Sequence, residues 1–425
     1  MKKSALTACL FLLALGACSD DESSDPAGTN NGANNGANNG ANNGANNGAN
    51  NGANNGANNG ANNGANNGGN NGVNNGANNG ANNGEIRTVE HPDGWIEYIP
   101  GGDTICSRGT EYAYFVNEGS SGNVIVDFWG GGACWNELTC SVADAIFNPD
   151  VEQLRSLVGR AKVGIYNRDN PDNPFKDWTH VVVPYCTGDV HWGDATQTYA
   201  EGTDAEVTIH HRGATNAKTA LQYVYDNHGE PENIFVTGCS AGGYGSIVWG
   251  AHLMERYPEA KVVQMSDSAA GVITQTFFQE SFPKWNALPA LPDWIPGWNP
   301  NEVDIFALQL ADLYTVFGNQ YPNQVVAQYN TAFDENQTFY YTVMGGEDAN
   351  AWSGEMYAQM EKAEAGADNF HAFIAPGEVH CIIVSDDFYT VESNGVTLVD
   401  WVNDLIAGGD DIQSVYCEDC GAPGE

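Results

Sequence analysis

A serine at position 240 lies in a local sequence that is typical of an activated nucleophile. Residues 238–243 read Gly-Cys-Ser-Ala-Gly-Gly and fit the pattern Gly-x-Ser-x-Gly. The apolar residues 233–237 predict a strand before this turn, and residues 244–256 predict a helix after it. Such a turn exposes the serine hydroxyl at a helix N-terminus. We therefore predict that Ser240 attacks a carbonyl carbon; the alternative is a glycine-rich turn that only binds an anion.

A serine nucleophile requires a base, which is most often histidine. The chain has nine histidines, and if the order is serine, acid, histidine, only His371 and His380 come late enough. His371 lies inside an alternating, strand-like segment, whereas His380 follows a strand and a Pro-Gly loop at 376–377. The sequence thus predicts His380 as the base.

The acid that orients the histidine should follow a strand between these two positions. We interpret residues 339–344 as such a strand, and it ends in Gly-Gly-Glu-Asp. This predicts Asp348 as the acid, with Glu347 and Asp334 as the alternatives. Asp267 follows an earlier predicted strand. Two interpretations are open for it: it lines the site, or it caps the following segment.

The negative charge of a tetrahedral intermediate needs backbone N–H donors. Ala241, directly after the nucleophile, is expected to supply one of them. A second is expected from the Gly-Gly-Gly-Ala turn at 130–133, which follows an early predicted strand. The alternative for that segment is an ordinary tight turn.

Short apolar strands alternate with helices along most of the chain, which indicates an α/β fold with a mostly parallel sheet covered on both faces. Residues 274–330 are irregular and rich in tryptophan and proline, so we interpret them as a cap insertion. Strands are predicted at 123–129, 180–185, 233–237, 261–265, 339–344 and 369–374, and helices at 214–225, 244–256 and 397–406.

The first 84 residues differ in composition from the remainder. A basic start and an apolar stretch lead to Leu-Gly-Ala-Cys at 15–18, which resembles a bacterial lipobox and implies a lipid on Cys18. A plain secretory signal is the alternative. Residues 19–84 consist largely of Asn-Asn-Gly-Ala repeats, which predict a disordered linker. Residues 85–425 form the folded domain, and we expect a cell-envelope protein, with an outer-membrane or surface location favoured by Ser19.

The charge balance excludes several classes of partner. The chain has 15 Lys and Arg residues against 54 Asp and Glu residues, a formal net charge of -39. Nucleic acids and anionic lipid surfaces are therefore not expected as partners. Demethylated pectin is repelled for the same reason, which favours neutral esters. The acidity is alternatively a trait of a saline habitat.

Eight cysteines fall in the folded domain, and an even number in an exported chain predicts disulfides. A zinc site is the alternative, but the Cys-x-x-Cys at 417–420 has no second pair at the usual spacing.

Four segments in order resemble the pectin acetylesterase family, which includes the Notum-type carboxylesterases. They are residues 128–136, 183–193, 238–243 and 380–381. The resemblance implies an α/β-hydrolase-like three-layer sandwich that hydrolyses carboxylic esters without metal or cofactor. It implies a triad of Ser240, Asp348 and His380, and an oxyanion hole lined by Gly131, Gly132 and Ala241. Family members often carry Trp where this chain has Ala133.

The same resemblance implies the disulfides Cys134–Cys140 and Cys106–Cys186. A separate resemblance, to tannase-like esterases, suggests a bond between Cys239 and Cys381. These two cysteines flank Ser240 and His380, whose side chains must meet. Two buried free thiols are the alternative.

These features together predict an exported, lipid-anchored carboxylesterase that removes acetyl groups from polysaccharide or related esters. Asp189, His191 and Trp192 are candidates for lining the substrate cleft, although a packed aromatic turn fits them equally well. The alternatives are a lipase-like, protein-lipid or polyester hydrolase on the same scaffold, and a non-catalytic glycan-binding lipoprotein.

Overall fold

A twisted sheet of ten strands organises the chain, in the order β1-β2-β3-β5-β4-β8-β9-β10-β11-β14. The computed structural model describes residues 86–141, 146–305, 307–409 and 412–421. The first four strands in this order are joined by antiparallel pairs, and every later pair is parallel. The fold is therefore α/β with a mostly parallel central sheet, as the sequence predicts.

The strands are β1 Arg87–Glu90, β2 Trp95–Ile99, β3 Tyr114–Asn117, β4 Val124–Phe128, β5 Thr179–Val183, β6 Ala195–Tyr199, β7 Val207–His211, β8 Asn233–Cys239, β9 Lys261–Asp267, β10 Val325–Thr331, β11 Phe370–Ala375, β12 Glu392–Ser393, β13 Val396–Thr397 and β14 Val415–Tyr416. The α-helices in the described ranges are α1 Glu137–Ser141, α2 Glu152–Leu157, α3 Gly213–Asn227, α4 Ala241–Arg256, α5 Gln275–Trp285, α6 Leu310–Gln320, α7 Glu335–Val343, α8 Ala349–Gly366 and α9 Leu398–Ala407.

The central parallel strands are buried on both faces, which explains their nearly continuous apolar sequences. Along β4, Val124 and Val126 point into one core, whereas Ile125 points into the other. The first core also contains residues of α4, and the second contains residues of α9. Helices therefore cover both faces of the sheet, and the loops at the carboxyl ends of the strands stay available for a site.

Two predicted elements differ from the structure. Residues 339–344 are not a strand, because Glu335–Val343 forms helix α7. The missing strand is Val325–Thr331, which lies at the end of the segment interpreted as a cap and pairs with β9 and β11. The first carboxylate after this central strand is therefore Asp334, and not Asp348.

No helix in the described part of the chain is long and apolar enough to cross a membrane. Cys18 and the linker at 19–84 lie outside the described residues.

Candidate active site

Ser240 lies at the sharp turn between β8 and α4. Its backbone has φ 57° and ψ −124°, a left-handed conformation that is costly for a residue with a side chain. The turn can be this tight because the residues on either side of it, Gly238 and Gly242, have no side chains. A Cβ on Gly242 would lie 1.7 Å from the Phe128 carbonyl oxygen, and one on Gly238 would lie 2.4 Å from it. The geometry is that of a nucleophile elbow.

His380 contacts a carboxylate that is fully buried. Its Nδ1 lies 2.9 Å from Oδ1 and 2.8 Å from Oδ2 of Asp334. Burial alone would lower the pKa of His380, but the charge and hydrogen bond of Asp334, together with Asp267, raise it above its usual value. Because Nδ1 is engaged, Nε2 is the ring nitrogen that can exchange a proton with a serine.

Asp334 is held in place by the helix that it starts. It caps α7 by accepting from the Gln337 backbone N–H at 2.9 Å, and it also accepts from the Gln337 side-chain amide at 3.0 Å. The capping residue of α7 is therefore also the partner of His380.

The structure contradicts the prediction of Asp348 as the acid, because Asp334 and not Asp348 contacts His380. Asp348 is exposed and caps α8, where its side chain accepts from the Ala351 N–H at 3.0 Å. Glu347 is exposed as well. The error follows from interpreting residues 339–344 as a strand, which moved the expected acid past the true strand β10. Asp334 was one of the alternatives that the sequence left open.

The glycine turn at 130–133 lies directly against Ser240. A Cβ on Gly130 would lie 2.9 Å from the Ser240 Cβ, and Gly132 has φ +76°. Gly132 and Ala241 line the same pocket as Ser240 and His380. Gly131 is not among the lining residues; its own Cβ would lie 2.7 Å from the Asn148 amide nitrogen. The oxyanion role of these residues remains a prediction that this arrangement suits.

Tyr340 reaches from α7 to the glycine turn, which the sequence analysis missed. Its hydroxyl donates to the Ile146 carbonyl. Burial raises the pKa of Tyr340, and a hydrogen bond from the Ala133 backbone partly opposes this. The signal in the sequence is the helical spacing of Asp334, Gln337 and Tyr340, which places the three side chains on one face of α7.

A mainly apolar pocket opens beside Ser240 and His380. Its volume is about 700 Å³, including its open mouth. Apart from Ser240, Ser268, Gln337 and His380, its lining is glycine, aliphatic, methionine and aromatic: Gly132, Ala133, Trp135, Val190, Trp192, Ala241, Tyr244, Val272, Ile273, Phe277, Phe278, Phe282, Tyr340, Met344 and Trp352.

Two of the residues predicted to line the substrate cleft do not reach this pocket. Asp189 is fully buried and accepts from the Thr187 hydroxyl at 2.6 Å and from the Gly213 N–H at 2.8 Å. Burial raises its pKa to about 6. His191 is also buried, and its Nε2 lies 2.8 Å from the Trp129 carbonyl oxygen. Burial lowers its pKa to about 4. Both side chains make internal hydrogen bonds, as buried polar groups require, and His191 thereby contacts the residue that precedes the glycine turn.

Trp192 does line the pocket, as predicted. Its indole N–H donates to the Tyr244 carbonyl at 2.9 Å, and its ring packs edge-on against Phe282. Whether it touches substrate remains a prediction.

Four disulfides are formed in the described residues. Cys106–Cys186 and Cys134–Cys140 match the pairs implied by the resemblance, and Cys417–Cys420 closes the pair that the sequence left unassigned. Cys239–Cys381 joins the residue before Ser240 to the residue after His380, with Cα atoms 5.3 Å apart. The elbow and the histidine loop are therefore covalently linked. Several disulfides in one chain are typical of exported proteins.

Two groups of side chains have donor atoms close enough to hold a metal ion. One is Cys134, Cys140 and His211; the other is Cys239, His380 and Cys381. In both groups the sulfur atoms are bonded to each other, so neither offers the thiolates that a zinc site uses.

Comparison with known proteins agrees with this geometry. Residues 96–283 match the model of the family described as Pectinacetylesterase. The fold is similar to that of the Wnt deacylase Notum from Drosophila, with a TM-score of 0.52 and 16% sequence identity over 75% of this chain and 95% of that chain. At this identity the likeness concerns the fold alone.

The site and the fold define a carboxylic ester hydrolase with a Notum-like α/β-hydrolase architecture. Residues 96–283, which contain Ser240, are similar to the pectinacetylesterase family.

Proposed function

We propose that the protein is an exported serine carboxylesterase whose preferred substrates carry an apolar acyl group longer than acetyl. The observation that carries this proposal is the mainly apolar pocket beside Ser240 and His380.

The reaction uses a triad of Ser240, His380 and Asp334. His380 Nε2 takes the hydroxyl proton while Ser240 Oγ bonds to the ester carbonyl carbon. Asp334 holds the tautomer with the proton on Nδ1 and stabilises the imidazolium. The tetrahedral intermediate then breaks its bond to the alcohol oxygen, which leaves with the proton from His380. Water, activated by His380, adds to the acyl-enzyme and releases the acid and the free Ser240.

The developing oxyanion is stabilised by backbone N–H groups. Ala241 at the start of α4 supplies one, and the turn containing Gly131 and Gly132 supplies the rest. The positive end of α4 favours the same negative charge.

The acyl group enters the apolar part of the pocket. Phe277, Phe278 and Phe282 of α5 form part of this wall. Each buried CH₂ contributes about 0.8 kcal/mol. An acetyl group has only one methyl carbon to bury, so it can contact few of these apolar side chains. Trp192 lines the same pocket, and we expect it to contact the acyl group.

Removal of acetyl groups from a polysaccharide is the second candidate. The description of the family supports it. The net charge of -39 opposes a polyanionic pectin and favours a neutral acetylated glycan. A non-catalytic glycan-binding role is disfavoured, because His380, Asp334 and the strained Ser240 have no need to converge in a binding protein.

The proposal places the enzyme at the cell envelope, anchored through a lipid on Cys18. The Leu-Gly-Ala-Cys sequence at 15–18 supports the anchor, and the uncharged repeats at 19–84 support a tether of the esterase domain at 85–425. A lipobox variant, Cys18→Ala, is expected to shift the protein from the membrane fraction to the soluble fraction.

Hydrolysis of p-nitrophenyl esters from C2 to C12, below their micelle concentrations, tests the acyl preference. We expect kcat/KM to rise about threefold to fourfold per CH₂ until the pocket is filled. The variant Val272→Phe, which narrows the pocket, should lower the long-chain rate more than the acetyl rate. Ser240→Ala should abolish both.

A preference confined to acetyl esters would replace this proposal by the second candidate. Absence of Ser240-dependent hydrolysis in a folded protein would favour the glycan-binding alternative.

A further inference from the structure

A second buried carboxylate lies next to the catalytic site. Asp267 ends β9, the strand beside the nucleophile strand, and in the register of the sheet it is opposite Cys239. Its side chain is fully buried. The proposed triad does not include Asp267, because Asp334 already occupies Nδ1 of His380.

The main chain and side chain of Asp267 hold two different parts of the site. Its carbonyl oxygen accepts from the Ser240 N–H at 2.9 Å. Its carboxylate accepts from the Ile383 N–H at 3.0 Å, in the loop that carries His380. One residue thus connects the elbow with the histidine loop through hydrogen bonds.

Ser268 extends this connection. Its hydroxyl donates to Asp267 at 2.9 Å and accepts from the Cys381 N–H at 3.0 Å. Ser268 has φ 54°, and its own N–H donates to the Tyr329 carbonyl at 2.9 Å. Ser268 is fully buried and lines the pocket. A positive φ at a residue with a side chain is a form of backbone strain that occurs often at functional sites.

The charges around His380 come from two carboxylates. Asp334 faces it from the start of α7, and Asp267 faces it from the end of β9. The Tyr329 hydroxyl on β10 is buried, and its burial and the charges of Asp267, Asp334 and Asp387 raise its pKa. Burial raises the pKa of Asp267 to about 6, while its hydrogen bonds and His380 oppose that rise. Above that pH Asp267 carries a negative charge.

We propose that Asp267 is a positioning residue for the esterase reaction, which holds the His380 loop and stabilises protonated His380 as its second anionic neighbour. This inference rests on the proposed function for its effect on rate, but its effect on the imidazole does not depend on turnover.

The test is the titration of His380 by NMR in the full chain with isotope-labelled histidine, with the signal assigned from His380→Gln. In Asp267→Asn we expect the pKa of His380 to fall by about half a unit or more, because a nearby negative charge is lost. The acid limb of the kcat/KM profile should move to lower pH by the same amount, and kcat/KM at pH 8 should fall about tenfold.

Two variants separate charge from position. Ser268→Ala keeps the carboxylate but removes the bond to Cys381, so kcat/KM should fall with a smaller change in the pKa of His380. Asp348→Asn removes an exposed charge elsewhere and retains a good helix cap, so neither quantity should change.

A pKa of His380 in Asp267→Asn equal to that in Asp348→Asn, with the disulfides intact, would overturn the inference. If Asp267→Asn does not fold, Asp267→Ser takes its place in the same titration. A pKa of His380 in that variant equal to that in Asp348→Asn would contradict the inference. If the wild type hydrolyses no ester, the proposed function is rejected. The NMR titration of His380 can still be measured in that case, so it tests the role of Asp267 separately.

Discussion

Asp334 and Asp348 both begin helices, but only Asp334 contacts an imidazole. This contact decides which carboxylate orients His380. Sequence order and local motif predicted Ser240 and His380, and both side chains line the same pocket. Order and motif did not identify the acid, because the sequence contains 54 Asp and Glu residues. Only the packing of strand β10 and helix α7 shows which of these carboxylates lies next to His380.

Asp334→Asn should lower kcat about 10³-fold to 10⁴-fold, since the wrong tautomer of His380 becomes favoured. Asp348→Asn is the matched control and should stay within twofold of the wild type. Steady-state kinetics on one soluble ester compares the two. A large loss in Asp348→Asn with little change in Asp334→Asn would restore the original prediction.

The pH dependence follows from the raised pKa of His380. The ring must be neutral to accept a proton, so kcat/KM should fall as the pH drops through a value above the usual 6.5 or so. A profile of kcat/KM between pH 5 and pH 9 with a neutral ester measures this. Full activity at pH 5 would be inconsistent with His380 as the base.

At the scale of elements, helix α7 carries much of the site. Asp334 precedes it, Gln337 and Tyr340 lie on its inner face, and Met344 follows it into the pocket. Its residues 339–343 are all aromatic or β-branched, which is why local propensity indicates a strand. The tertiary contacts of Tyr340 with the glycine turn override that propensity.

The glycine turn is sensitive to a single methyl group. In Gly132→Ala the added Cβ would meet the Ile146 carbonyl oxygen at 1.9 Å, so the turn must shift and kcat should fall at least about 100-fold. Gly122→Ala is the matched control, because Gly122 has φ +77° but open space around it. Equal effects of the two substitutions on kcat would argue against an oxyanion role.

The Cys239–Cys381 bond closes a long segment, with a sequence separation of 142. Replacing both cysteines by serine should lower the free energy of unfolding by about 2–5 kcal/mol and also lower kcat. The same change at Cys417 and Cys420, whose separation is 3, should have a smaller effect. Urea unfolding and kinetics measure both. Unchanged values in the first variant would show that the bond has no role in stability or in the geometry of the site.

At the scale of the whole molecule, alternating strands and helices made the fold class predictable. The pocket was not predictable, because its walls come from aromatic residues of a segment without regular periodicity.

The net charge of -39 acts at this scale too. Salt should therefore raise kcat/KM on acetylated polygalacturonate, with little effect on a neutral acetylated glycan, since the Debye length is about 8 Å at physiological ionic strength. A common salt response on both substrates would instead indicate an effect on the protein itself.

The central claim is that Ser240 is activated by His380 and Asp334. Its most direct test is intact-protein and peptide mass spectrometry of the full chain after treatment with a fluorophosphonate. The account predicts one label per chain, located on Ser240, complete loss of esterase activity, and slow labelling of Asp334→Asn. A folded chain that remains unlabelled, or that is labelled at another residue while activity is lost, would contradict it.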